Sequence, residues 1–90
     1  MPDTPGRKEA HMATINTSAL IETCDTLARR CIKLADTYHG SAWLFDKLMR
    51  AFENSPATVA ITIPVYIGSP VMKPGEATIC RDGSLQMHTI

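Results

Sequence analysis

The feature of this sequence that most constrains its fold is a change in the spacing of apolar residues near residue 57. Before that point, apolar residues recur every three or four positions, which is the period of an amphipathic helix. After it, they alternate with other residues, as in a strand with one buried face. Ninety residues are enough for one domain and too few for two. The sequence therefore predicts an α+β domain in the order α-α-β-β-β, with a two-helix hairpin packed on one face of a small antiparallel β-sheet.

The first helix is predicted over residues 18 to 38. Asn16, Thr17 and Ser18 supply side-chain oxygens that can cap its first turn. Gly40 is expected to end the helix in a left-handed conformation. The apolar stripe follows alternating steps of four and three residues: Leu20, Cys24, Leu27, Cys31, Leu34 and Tyr38. Because this stripe also has heptad spacing, self-association through helix 1 is a further expectation.

A second helix is predicted over residues 42 to 53, with one buried and one exposed face. The buried face consists of Leu44, Phe45, Leu48, Met49 and Phe52. The exposed face consists of Trp43, Asp46, Lys47 and Arg50. Pro56 ends this helix, because the residue before a proline disfavours helical geometry. Only a short turn around Gly40 separates the two helices, so an αα-hairpin is expected.

The first strand is predicted within residues 57 to 67. One face carries the apolar residues, which are Val59, Ile61, Ile63, Val65 and Ile67. Pro64 has no N–H group, so the strand is expected to lie at a sheet edge or a bulge at that point. Further along, proline and glycine within Lys73–Glu76 predict a type II turn.

The last segment is predicted to be a β-hairpin around Asp82 and Gly83. A two-residue loop would mix polar and apolar residues on each face. A three-residue loop that starts at Arg81 separates the two faces and places Gly83 at the left-handed position of a bulged hairpin. We therefore favour the longer loop, which pairs Ile79 with Leu85, Ala77 with Met87 and Thr78 with Gln86.

Residues 1 to 15 are predicted to be a flexible N-terminal tail and residues 16 to 90 the folded domain. No segment has the roughly 18 to 20 apolar residues that span a membrane, and residues 1 to 11 contain no apolar signal segment. Three cysteines without paired spacing favour reduced thiols and a cytoplasmic location. Nine basic residues balance nine acidic ones, whereas nucleic-acid-binding proteins usually carry a basic excess, because phosphate contacts supply much of their affinity.

No catalytic, metal or cofactor site is predicted. The sequence contains no paired metal-ligand spacing, phosphate loop or nucleophile motif. Cys24 and Cys31 lie in the apolar stripe, where free cysteine packs as a small hydrophobic residue, and Cys80 lies opposite the face of Ile79. His39, at the predicted end of helix 1, fits a cation near a helix C-terminus. We therefore expect that the chain is not an enzyme and has no small-molecule substrate.

Exposed positions on the two predicted helices are the candidate partner contacts: Arg29, Arg30, Ile32, Lys33, Trp43 and Lys47. Arg29 and Lys33 lie one helical turn apart and can act together. Ile32 falls off the apolar stripe, and Trp43 falls off the buried face of helix 2. Tryptophan and arginine are frequent among residues that dominate interface energies. Two simpler readings stay open: Trp43 tucks against the corner between the helices, and the basic residues form only a solvated face.

The expected function is that of a non-enzymatic interaction module that docks on a larger protein or ribonucleoprotein complex. In size, lack of motifs and α+β organisation, the chain resembles the small inhibitor proteins of phages and mobile elements, including anti-CRISPR proteins. Those proteins share no common motif, so the resemblance transfers no functional residue. It implies steric or competitive blocking of a bacterial nucleoprotein complex. The alternative is nucleic-acid binding by the basic face of helix 1. If that face is only solvated, the edge strand near Pro64 and Tyr66 is the next candidate for receiving a partner strand.

Overall fold

A computed structural model of the chain describes residues 15–30, 32–37, 39–68 and 70–90. Its elements are α1 (Thr17–Arg29), β1 (Lys33–Leu34), α2 (Ser41–Asn54), β2 (Ala60–Ile67), β3 (Lys73–Cys80) and β4 (Leu85–Thr89). Within these residues, the strands form one antiparallel sheet in the order β1-β2-β3-β4. Neither α1 nor α2 is long and apolar enough to cross a membrane. The predicted α+β class is confirmed, and the two-residue strand β1 is an addition to the predicted order.

Helix α1 is shorter than predicted, because the chain leaves the helix at Arg30 and becomes extended. Lys33 and Leu34 pair with Tyr66 and Val65 of β2. Ile32 is buried and Leu34 is half-buried, so the apolar residues in this segment follow the two-residue period of a strand. Over so few residues, a two-residue spacing cannot be told from the spacing of a helix. The predicted helix therefore extended too far. Cys31 and Tyr38 of the predicted stripe lie outside the described residues.

The two helices are adjacent in space, as predicted, but they do not form a simple αα-hairpin, since β1 lies between them along the chain. Gly40 does not end α1 in a left-handed conformation. It is the N-cap of α2, with φ −79° and ψ 170°. Helix α2 itself was predicted to within a residue at each end, and its predicted exposed face is exposed.

The core forms where the two helices pack on one face of the sheet. Its buried apolar residues are Leu20, Cys24, Leu27, Ile32, Leu44, Leu48, Phe52, Ile63, Val65, Ala77 and Ile79. Ile15 packs against this cluster, whereas residues 1–14 of the predicted tail lie outside the described residues. The first half of the helix 1 heptad stripe is thus used inside the chain. These buried residues, Leu20, Cys24 and Leu27, are therefore not available as a seam between two copies.

The β3–β4 hairpin has the predicted three-residue loop and the predicted register, with Ile79 opposite Leu85. Gly83 has φ +92°, and its carbonyl oxygen accepts a hydrogen bond from the Thr23 hydroxyl of α1. The predicted type II turn at Lys73–Glu76 is wrong, because these residues belong to β3. Gly75 there serves close packing: a Cβ atom on it would lie 2.7 Å from the His88 carbonyl oxygen and 2.8 Å from Ile67 Cδ1.

Arg81 is a buried cation at the start of the hairpin loop, with 5% of its surface exposed. Its Nη2 atom donates hydrogen bonds to the carbonyl oxygens of Phe52 (2.6 Å) and Ser55 (3.0 Å). Its Nε atom donates to the carbonyl oxygen of Thr58 at 2.5 Å. These are carbonyl groups at and beyond the end of α2, where a helix leaves acceptors unsatisfied and its dipole favours a cation. Arg81 therefore ties the hairpin to the end of α2.

Candidate interaction surface

An exposed aromatic residue lies near the start of α2 and is held by two neighbours. Trp43 is 40% exposed. The His39 ring stacks on it with a centroid distance of 3.8 Å and an interplanar angle of 12°. Lys47 lies one helical turn further on, with its Nζ atom 5.0 Å from the Trp43 ring centroid, within cation–π range. We call His39, Trp43 and Lys47 the Trp43 cluster.

The Trp43 cluster forms one wall of a groove of about 270 Å³. The opposite wall comes from the segment that follows β1 and from the middle of β2. The lining residues are Leu34, Ala35, Asp36, Thr37, His39, Trp43, Leu44, Lys47, Ile63 and Pro64. Thr37 Oγ1 lies 2.6 Å from His39 Nε2 and restrains that ring. The groove therefore combines an indole, an ammonium group and a carboxylate with an apolar floor.

The other flank of α2 faces α1 across a second groove, which fixes the direction of the Trp43 cluster. Ala42 and Phe45 line that groove together with Ile21 and Cys24 of α1. Trp43 lies on the flank of α2 that points away from α1, toward β1 and β2. The cluster thus lies beside the edge of the sheet.

The structure separates the predicted contact residues. Trp43 and Lys47 lie together, as predicted, whereas Arg29 and Arg30 are exposed at the end of α1. The prediction that Ile32 is an exposed apolar contact is wrong: Ile32 is 5% exposed and belongs to the core. The helical wheel placed it on the outer face, but residue 32 is no longer helical.

Lys33 also lies elsewhere than predicted, because it belongs to β1. Its Nζ atom lies 5.9 Å from the ring centroid of Tyr66, its cross-strand neighbour. That contact is on the sheet face that the helices do not cover. The basic cluster expected from Arg29 and Lys33 at one-turn spacing is therefore not formed.

The uncovered face of the sheet is polar, and several of its side chains contact one another. The hydroxyl groups of Thr62 and Thr78 are 2.8 Å apart across β2 and β3. Glu76 Oε1 lies 3.2 Å from His88 Nε2 across β3 and β4. Trp43, in contrast, is an exposed aromatic residue of the type that often dominates interface energies. The groove beside Trp43 is the stronger candidate.

The structure describes two cysteines, and one of them, Cys24, is a buried thiol rather than a reactive one. Cys24 is 1% exposed, and its core role is confirmed. Burial, with a smaller effect from Asp25, raises the pKa of its thiol to about 11. A thiol with that pKa stays protonated at neutral pH, whereas the nucleophile would be the thiolate. Cys80 is half-buried near the hairpin loop. In the described ranges, no group of three or more His, Cys, Asp or Glu side chains could hold a metal ion.

Sequence reasoning missed His39 as a partner of Trp43, because it placed that histidine at the end of helix 1. One signal was available: Gly40 and Ser41 can begin a helix as well as end one. The groove itself could not be found, since its walls come from residues that are distant in sequence. Comparisons of the chain with models of known protein families, with curated proteins and with solved structures find no match.

Proposed function

We propose that the chain is a non-enzymatic interaction module that docks on a larger protein or ribonucleoprotein complex through the Trp43 cluster and blocks it. The observation that carries this proposal is a 40% exposed tryptophan that stacks with a histidine and has a lysine within cation–π range. A side chain that is already restrained loses little conformational freedom when it binds. Tryptophan is also among the residues that most often dominate binding energy.

The proposed mode of action is steric or competitive blocking in the cytosol, as the resemblance to small phage inhibitors of the anti-CRISPR type implies. The chain has nine basic and nine acidic residues, so long-range electrostatic steering is weak. Affinity would then depend on local fit. The exposed part of the Trp43 ring beside Lys47 supplies such a fit for an apolar partner residue next to a carboxylate.

Nucleic-acid binding by the basic face of helix 1 is the less favoured function, because Lys33 belongs to β1 and not to the helix that carries Arg29. The double charge reversal Arg29→Glu with Lys33→Glu tests it. We expect this variant to bind the partner within about twofold of the parent, because neither residue belongs to the Trp43 cluster. A tenfold loss, which corresponds to about 1.4 kcal/mol, would show that these basic residues contact the partner. A steep salt dependence of binding to RNA or DNA alone would favour the alternative.

The test of the docking proposal starts with the full chain immobilised and exposed to a lysate of the native host. The protein that it retains is then purified and titrated against variants. Trp43→Ala and Lys47→Glu should each weaken binding at least about tenfold. The matched controls are Val71→Ala, an exposed apolar residue, and Lys73→Glu, an exposed lysine, and both should bind like the parent. Equal affinity of the parent and Trp43→Ala would contradict the proposal.

A further inference from the structure

The outer edge of β2 is open along part of its length. Strand β1 covers β2 only at Val65 and Tyr66. One more hydrogen bond follows, from the Ala35 N–H group to the Pro64 carbonyl oxygen at 3.3 Å. The chain then bends away at residues 35–37, and no other strand among the described residues lies along this edge.

The direction of the backbone groups along β2 follows from its pairing with β3. The Arg81 N–H group donates to the Val59 carbonyl oxygen at 3.1 Å, so residue 59 and every second residue after it face β3. The residues between them face the open edge, which agrees with the bond between Ala35 and Pro64. Ala60 and Thr62 therefore direct their N–H and C=O groups outward. Within the described part of the chain, these groups have no hydrogen-bond partner.

This open stretch is closed at both ends. At one end, the Thr58 N–H group donates to the Ser55 carbonyl oxygen, and the Thr58 carbonyl oxygen accepts from Arg81. At the other end, Pro64 has no N–H group, and the Pro64 carbonyl oxygen already accepts a hydrogen bond from the Ala35 N–H group. We call Ala60 and Thr62 the β2 window. It offers two donors and two acceptors, repeated every two residues at about 6.6 to 6.8 Å.

The β2 window lies next to the groove of the Trp43 cluster. Ile63 and Pro64, directly after the window, line that groove together with Trp43 and Lys47. The opposite edge of the sheet, at β4, also has outward backbone groups, but the groove with Trp43 lies only at the β2 side. The two features together favour β2 as the binding edge.

We propose that the partner of this module presents an extended polypeptide segment that adds as a strand to β2 at the β2 window. This inference rests on the proposed docking function and names the chemistry of the partner. Alternating donors and acceptors at a two-residue repeat match an extended main chain. A residue of the added strand opposite Ile61 points to the helix-covered side, since cross-strand neighbours share a face. An apolar residue there, with a carboxylate close to Lys47, is the segment that fits.

A second copy of this chain fits less well than another protein. The segment that fits carries a carboxylate close to Lys47. The sequence of β2, AITIPVYI, has no acidic residue, so a second β2 strand at the β2 window would bring no carboxylate of its own to Lys47. The occupant is therefore a segment of a different protein.

The test uses peptides selected from a displayed library of random dodecamers panned against the full chain. Thr62→Pro removes the outward N–H group without removing a hydrogen bond to β3. Thr62→Val is the matched control, because it keeps the N–H group and loses the same hydroxyl contact to Thr78. We expect Thr62→Pro to weaken peptide binding at least about tenfold and Thr62→Val to bind like the parent. Equal binding by the two variants, or a library that yields no binder, overturns the proposal.

Amide hydrogen exchange of the parent chain, with and without a selected peptide, gives an answer that does not depend on the folding of a variant. The amides of Ala60 and Thr62 should exchange more slowly in the complex. Those of Leu85 and Met87, which face outward on β4, should not change. Protection at β4 instead, or at neither edge, overturns strand addition at β2. So does protection of the β2 window without peptide in a sample that sediments as a dimer, since the occupant would then be a second copy.

The two proposals can fail separately. If Trp43→Ala loses binding to the purified partner while Thr62→Pro keeps it, docking at the Trp43 cluster stands and strand addition is wrong. If both variants bind the partner like the parent, the docking function is wrong as well.

Discussion

Replacing Gly83 by alanine should destabilise the fold, because this glycine combines a left-handed backbone with a close approach to α1. Its φ is +92°, a conformation that L residues rarely adopt. An added Cβ would lie 2.8 Å from the carbonyl carbon of Ala19 and 3.0 Å from its Cα atom. The helix backbone cannot rotate away as a flexible side chain could. Either α1 moves from the hairpin or the loop changes conformation.

The expected cost follows from these two terms. A left-handed backbone costs a residue with a Cβ roughly 1 to 2 kcal/mol, and overpacking typically costs about 1 to 3 kcal/mol. Together they lower the free energy of unfolding by about 2 to 5 kcal/mol. In a domain of this size, 1 kcal/mol shifts Tm by roughly 4 to 8 °C. Gly83→Ala should therefore melt at least about 8 °C below the parent.

Urea unfolding followed by circular dichroism measures this effect, and Gly40→Ala is the matched control. No atom lies within 4 Å of a Cβ built on Gly40, and its φ of −79° suits alanine. That variant should stay within about 1 kcal/mol of the parent. A double variant that combines Gly83→Ala with Ala19→Gly should recover part of the lost stability, because it removes the Ala19 Cβ atom that the new side chain would meet. If both single variants unfold at the same urea concentration, the hairpin does not pack on α1 as described.

Three further effects on stability follow from the core. Leu27→Ala and Phe52→Ala should each lower the free energy of unfolding by about 2 to 5 kcal/mol, measured by urea titration, and a parent-like midpoint for Leu27→Ala would place α1 on the wrong face. Arg81→Met should cost about 2 to 4 kcal/mol by leaving carbonyl groups without donors, whereas Arg50→Met, an exposed control, should cost less than about 1 kcal/mol. The thiol pKa of Cys24 is raised from 9.0 to about 11, so folding disfavours the thiolate: its contribution to stability is complete below pH 9 and is lost as the pH rises toward 11. Unfolding midpoints across that range should show a loss that Cys24→Ala lacks; equal pH profiles would contradict the assignment.

The features predicted correctly from the sequence are those decided by near neighbours. The register of the β3–β4 hairpin depends on three loop residues and on the separation of two faces, both visible within residues 77–87. Asn16 caps α1 as predicted, with its Oδ1 atom accepting a hydrogen bond from the Ala19 N–H group at 3.1 Å. Helix α2 has an uninterrupted period and a proline beyond its end.

The errors occur where long-range contacts override the local pattern. Strand β1 has only two residues, and it exists because β2 supplies hydrogen bonds more than thirty positions away. Nothing local distinguishes Ile32 in an extended segment from Ile32 on a helix. Gly75 resembled a turn residue, but the approach of β4 and Ile67 decides its role.

The candidate site could be predicted only in part for the same reason. Trp43 and Lys47 were found together because one helical turn joins them. Their partner His39 precedes α2, and the facing wall belongs to β2. A groove between elements that are distant in sequence has no periodic signal.

The contact between α1 and the hairpin has a consequence for how the chain acquires its structure. The hydrogen bond between Thr23 and Gly83 joins residues 60 positions apart, and the Asn16 N–H group donates to the Arg81 carbonyl oxygen at 3.0 Å. During synthesis, α1 leaves the ribosome long before the residues on which it docks. The stripe of α1 can pack on α2 earlier, but the contact with the hairpin needs the closure of a long loop. We therefore expect folding to complete only after the hairpin has emerged, in one late step.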